Sequence, residues 1–152
     1  MFSGWLIEML EKDLGKLKNE INQYADEKDL WIVKEGILNS AGNLCLHILG
    51  NLNHVIGHVI GGTDYKRNRD LEFSEKNVPR SELNKKIDGV IELVKTYLPK
   101  LSDADFGKMY PDKVGGKERQ YGFVLIYFSN HFNYHLGQIN YHRRLIAGNK
   151  NE

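Results

Sequence analysis

The sequence predicts an all-α protein, a four-helix bundle, and three observations lead there. Apolar residues recur at spacings of three and four along four long segments, the period of one helix face. The three prolines, at 79, 99 and 111, stand where those patterns start or stop. No segment shows the strict alternation of a half-buried strand. Amphipathic helices with no sheet to cover must bury their faces against one another, which makes a bundle the default.

The first helix is expected over residues 3–24, where Leu6, Leu10, Leu14, Leu17, Ile21 and Tyr24 form one stripe. A polar break at Asp26 to Lys28 follows, then a short apolar patch from Leu30 to Val33. The second helix is expected over 40–60, capped by Asn39 or Ser40 and stopped by Gly61 and Gly62. Thr63 to Pro79 is polar and reads as a long connection, of the kind that in a compact domain serves function or crosses between bundle ends. The third helix is expected over 80–98, with Ile87, Val90, Ile91, Val94 and Leu98 inward and Pro99 as its stop. Ser102 is placed to cap a single turn from Asp103 to Phe106, and Lys108 to Gln120, with Gly115 and Gly116, reads as a loop or small hairpin. The fourth helix is expected over 121–147, with Arg143 and Arg144 in its last turns, where they suit the helix dipole.

The 152 residues fit one domain, expected to span 1–152. Lys and Arg number 21 against 20 Asp and Glu, so no basic excess points to nucleic acid. Cys45 is the single cysteine, which excludes an internal disulfide and any CxxC motif. The N-terminal segment meets charge at Glu8, Glu11, Lys12 and Asp13 and lacks a signal-peptide pattern. No apolar run approaches the ~18–20 residues of a membrane span. A soluble cytoplasmic protein, with no nucleic-acid or membrane partner, is the expectation.

Six histidines carry most of the functional information. On the second helix His47, Asn51, His54 and His58 fall on one stripe beside Leu44, Ile48, Leu52, Val55 and Val59. On the fourth, His131, His135, Gln138 and His142 lie beside Phe128, Phe132, Ile139 and Ile146. Polar residues bordering a bundle's apolar face point toward the interior or its rim, where metal sites of bundles are built. His131 and His135, one turn apart, can share a metal, and a third histidine from the facing helix would complete a His₃ set with open positions. Spacing does not choose between His47 and His54 for that third ligand.

At these residues the sequence resembles a known family. His131 to Ile146, HFNYHLGQINYHRRLI, is similar to the fourth-helix signature of the DinB-like (YfiT-like) four-helix bundle metalloprotein superfamily, close to H-x-x-Y-H-x-G-Q, matched by Tyr134, His135, Gly137 and Gln138. Asn39 to Leu52, NSAGNLCLHILGNL, resembles its second helix, and Asp64 to Ser74, DYKRNRDLEFS, resembles a subgroup of uncharacterised bacterial members. The resemblance implies a bundle with a long connection between helices two and three, and a homodimer. It implies a divalent metal, zinc or nickel, on His47, His131 and His135. It also implies chemistry on low-molecular-weight thiols such as bacillithiol, mycothiol or glutathione, as in the superfamily's transferases and isomerases.

Asn51, Tyr134 and Gln138 are candidates to anchor the ligand rings, and His54, His58 and His142 read as rim residues or partners of the ligands. Arg67 and Arg69 are placed to hold an anionic substrate or thiol, or to pair with Asp64, Asp70 and Glu72. Cys45 lies about 200° round the helix from His47 and reads as a buried inert thiol. No glutamate follows His131 in an HExxH pattern, so a metalloprotease base is absent. The expected function is thus a metal-dependent thiol S-transferase; a metal-dependent hydrolase or a non-catalytic metal-binding bundle are the alternatives. Nitrogen ligands favour zinc or nickel over magnesium or calcium.

Overall fold

The computed structural model describes residues 2–148. The outermost bounds expected for the domain, 1 and 152, lie outside the described residues. The fold is all-helical, and no strand occurs among the described residues. Among the described residues there are five α-helices: α1 (Phe2–Asn22), α2 (Ala41–Leu52), α3 (Arg69–Ser74), α4 (Arg80–Tyr97) and α5 (Tyr121–Gly148). Helix α1 packs along α4 and α5, and α2 packs against α4 and α5 from the other side. None of the helices among the described residues is long and apolar enough to cross a membrane.

The core is built from the periodic stripes. Leu6, Leu10, Leu14, Leu17 and Ile21 of α1 meet Leu83, Ile87, Val90 and Val94 of α4 and Val124, Phe132 and Ile139 of α5, all buried. Tyr24, just past α1, is buried too, so the inward stripe outlasts the helix by a few residues. Its hydroxyl lies 2.8 Å from Nδ1 of the buried His142, whose Nε2 lies 2.9 Å from the Ile32 carbonyl. A carbonyl only accepts, so the His142 proton sits on Nε2 and the Nδ1 lone pair takes the tyrosine proton. His142 therefore ties the segment after α1 to α5 and leaves no nitrogen free for a metal.

Helix α2 is buried on every side. Ser40 caps it, its Oγ accepting from the Asn43 amide at 3.2 Å. The expected single α-helix over 40–60 is not continuous: from Asn53 to Ile60 the chain runs as a π-helix, with hydrogen bonds one residue longer. Gly62 ends it at φ 68°, a left-handed conformation that suits glycine.

The connection from 63 to 79 is not only loop. It contains α3, capped by Asn68, whose side chain accepts from the Leu71 amide at 3.0 Å. Asn43 fastens α3 to α2: its buried amide donates to the carbonyls of Glu72 at 3.0 Å and Glu75 at 2.8 Å. That contact covers the face of α2 that four helices alone would leave open. The single turn expected after Ser102 forms as a 3₁₀ turn, Asp105–Gly107, with Ser102 Oγ donating to the Asp105 carboxylate at 2.7 Å. The 108–121 segment folds back on itself through Tyr110 N–H to Arg119 C=O, 2.8 Å, and Tyr121 N–H to Lys108 C=O, 3.0 Å. Gly115 and Gly116, at φ 61° and 76°, form its two-residue turn, where both central residues need positive φ.

Candidate metal centre

The site forms where α2 faces α5. Nε2 of His131 lies 2.9 Å from Nε2 of His47 and 3.2 Å from Nε2 of His135. The ligand-capable atoms of these three histidines all lie within 4.8 Å of one another. The rings meet nearly edge to face, at 80° for His47 and His131 and 85° for His131 and His135, so three nitrogens aim at one region from three directions.

Two of the rings are locked from behind. His47 Nδ1 lies 2.8 Å from Oε2 of Glu72, and His135 Nδ1 lies 2.6 Å from Oε1 of Gln138. Carboxylate and amide oxygens accept, so both protons reside on Nδ1 and both Nε2 atoms present bare lone pairs. Glu72 is in turn held by Arg67, Nε to Oε1 at 2.8 Å and Nη2 to Oε2 at 2.9 Å, a bidentate pair. Gly50, one turn past His47 on α2, gives this carboxylate its room: a Cβ there would come within 2.6 Å of the Glu72 carboxyl carbon.

This donor set fits a divalent cation. His131 can carry at most one proton on Nε2 and so cannot donate to both facing lone pairs; the other donor there among the described residues, the Asn51 amide, stands at a long 3.3 Å from His47 Nε2. A cation between the rings would satisfy all three. Nitrogens each ~2.1 Å from one ion are about 3.0 Å apart at right-angled coordination and about 3.4 Å at tetrahedral coordination; the observed 3.2 Å falls in that range and 2.9 Å just below it. Burial, with the neighbouring His135 and His47 and the charges of Arg67 and Arg69, holds His131 down at about 4, so the ring is neutral and ligand-ready near pH 7. Burial likewise lowers His135, against the opposing hydrogen bond to Gln138. Burial alone would raise the Glu72 carboxyl; the hydrogen bonds and charges of Arg67 and His47 outweigh it and hold it below the usual carboxylate range.

The remaining candidates fall into two groups. Asn51 is buried and brings its amide to 3.3 Å from His47 Nε2, on the side where the three nitrogens meet, not behind a ring. Tyr134 is two-thirds exposed, with its ring 5.3 Å from that of His135. Arg69 sits over the Phe73 ring at 5.2 Å, and Phe73 packs on His47 at 4.8 Å. His54 is not in the cluster: it lies about 10 Å further along the helix axis than His47, and its Nε2 turns to Asp112 at 3.1 Å. His58 bonds the Thr63 carbonyl at 2.7 Å. Of the stripe, only His47 and Asn51 reach the site, because His54 and His58 lie further along the axis and take other partners. Cys45 is fully buried, and burial pushes its thiol up to about 12, so it is inert.

Glu72 is the functional residue that sequence reasoning passed over, naming it only as a possible arginine partner. Its signal was the Asn68 cap with acidic Asp70 and Glu72 in the turn that follows, a helix start too short to show periodicity.

The family model described as protein of unknown function (DUF1572) matches residues 5–152, and the chain belongs to that family. No curated protein matches the chain.

Two outcomes follow from this geometry. Between pH ~6.5 and ~4.5 the unfolded chain, with ordinary imidazoles, holds more protons than the folded one, in which His131, His135 and the buried His142 are all lowered. Stability of the metal-free protein should therefore fall as pH drops through that window. The urea midpoint should be lower at pH 5 than at pH 7, and a midpoint that rises would contradict the burial argument. Gly50→Ala should gain up to about 1 kcal/mol of helix propensity yet push Glu72 off His47. A calorimetric titration should show zinc affinity falling about tenfold or more; unchanged affinity would mean that Glu72 does not matter to the site.

Proposed function

We propose that this member of the DUF1572 family is a DinB-like four-helix bundle metalloenzyme, with His47, His131 and His135 holding a zinc or nickel ion. We propose further that it is a thiol S-transferase acting on a low-molecular-weight thiol. The observation that carries the reading is the convergence of three Nε2 atoms, two of them stripped of protons by anchors on the far side of their rings. The four long helices around one core, with a long connection between α2 and α4, support the superfamily assignment.

A divalent ion on three neutral imidazoles supplies undiminished Lewis acidity to a sulfur or oxygen ligand in its remaining positions. The chain's own residues position that chemistry. Glu72 and Gln138 fix the ring orientations, and Asn51 brings an amide to the same side. Tyr127, its ring parallel to that of His131 at 6.3 Å, and Phe73 shield the rings from water. Glu72 is committed to Arg67 and His47 and is not free to act as a base toward water. A free thiol ionises near pH ~8.5, whereas water needs the ion to bring it from ~15.7 to about 7; the preference for transfer over hydrolysis rests on the superfamily resemblance. In the transfer, the thiol sulfur forms a bond to an electrophilic carbon, the bond from that carbon to its leaving group breaks, and the thiol proton is released to solvent. The superfamily reading carries a homodimer with it, and the exposed apolar side chains of Phe2, Trp5, Met9 and Ile126 supply a surface for one.

Elemental analysis of the purified protein should find about one zinc or nickel per chain. His135→Ala should lose it and His58→Ala should keep it. With metal restored, pairs of thiols and electrophiles should give the thioether product in the wild type and not in His135→Ala. Metal retained by His135→Ala would refute the ligand set; bound metal without any transfer would leave a metal-binding bundle and refute the transferase.

A further inference from the structure

Two arginines belong to the segment beside the site, and only one of them is matched by a carboxylate. Three imidazole ligands contribute no negative charge. Glu72 is the buried carboxylate at the site, and it is already matched by the bidentate Arg67. Arg69 remains. It is exposed, its guanidinium makes no ion pair or hydrogen bond within the described residues, and it sits over the Phe73 ring at 5.2 Å. Phe73 in turn packs on His47 at 4.8 Å, so the stack ends on a candidate ligand ring. The partners that sequence reasoning offered the two arginines are divided: Glu72 takes Arg67, and neither Asp64 nor Asp70 takes Arg69.

We propose that Arg69 is the anion-binding residue of this centre, and that the ligand it receives is a small organic carboxylate entering over the rim formed by Phe73, Tyr127 and Tyr134. The proposal rests on the metal reading above and adds to it the charge class of the substrate. A planar guanidinium offers a fork of N–H donors that matches a carboxylate, and its place over the Phe73 ring keeps it beside the site. The aromatic rim supplies contacts for the carbon skeleton between that carboxylate and the group delivered to the imidazoles: Tyr127 lies parallel to His131, and Tyr134 stands edge-on to His135.

The test compares 3-mercaptopropionate with 3-mercaptopropan-1-ol, which differ at the carboxylate. Each is titrated into cobalt-loaded protein and followed by the sulfur-to-cobalt absorption band. The wild type should prefer the carboxylate about three- to tenfold more strongly than Arg69→Gln does. Arg69→Lys should restore part of that preference, and added salt should weaken it. An equal preference in wild type and Arg69→Gln would overturn the proposal while leaving the metal reading intact. If the wild type takes up no cobalt, the metal reading fails. The proposal is then decided on the metal-free protein: 3-mercaptopropionate must shift the NMR signals of Phe73 and the Arg69 side chain, and the absence of a shift overturns it.

Discussion

A buried imidazole carries two nitrogens, one donor and one acceptor, and neither can be left facing nothing without a cost of about 1–3 kcal/mol. The arrangement around α2 and α5 follows from this constraint. His142 meets it with Tyr24 and the Ile32 carbonyl, and becomes a structural tie. The buried His47 meets it with Glu72 on Nδ1 and only a long 3.3 Å contact from the Asn51 amide on Nε2, and the half-buried His135 is anchored on Nδ1 by Gln138. Their Nε2 atoms both face Nε2 of His131, which has at most one proton to share between them. The same residue type at the same helical spacing thus ends as a strut in one place and as a candidate metal ligand in another. What decides between them is the group behind each ring.

The support for His47 is long in sequence and short in space. Helix α2 is buried on all sides, so its polar residues need partners from elsewhere. Helix α3 supplies them. Asn43 grips two α3 carbonyls, which sets Glu72 against His47 and lets Arg67 close over it, while Gly50 leaves the space that the carboxylate occupies. The long connection between α2 and α4 is therefore part of the site, as is Phe73, which packs on the same ring.

Much of this was legible in the sequence. The stripes of α1 and α4 follow their apolar periods, because burial of one helix face is what produces such a period. The approach of His131 to His135 was legible from their spacing, and His47 came from the family resemblance where spacing left His54 open. Three features were not legible. The change to π-helix at Asn53 is a shift in hydrogen-bond register, which leaves no mark on polarity. Helix α3 has six residues, too few for a helical period to declare itself. Arg67 had Asp64, Asp70 and Glu72 within reach along the chain, and only the docking of α3 by Asn43 selects Glu72.

The central claim is that His47, His131 and His135 hold one metal ion through Nε2, with positions left open. X-ray absorption at the metal edge of the zinc- or nickel-loaded protein tests it most directly. The account predicts three imidazole nitrogens at ~2.1 Å, completed by exchangeable light atoms that give way to sulfur when a thiol is added. A shell of four or more protein ligands that no thiol perturbs, or a spectrum unchanged in His47→Ala, would contradict it.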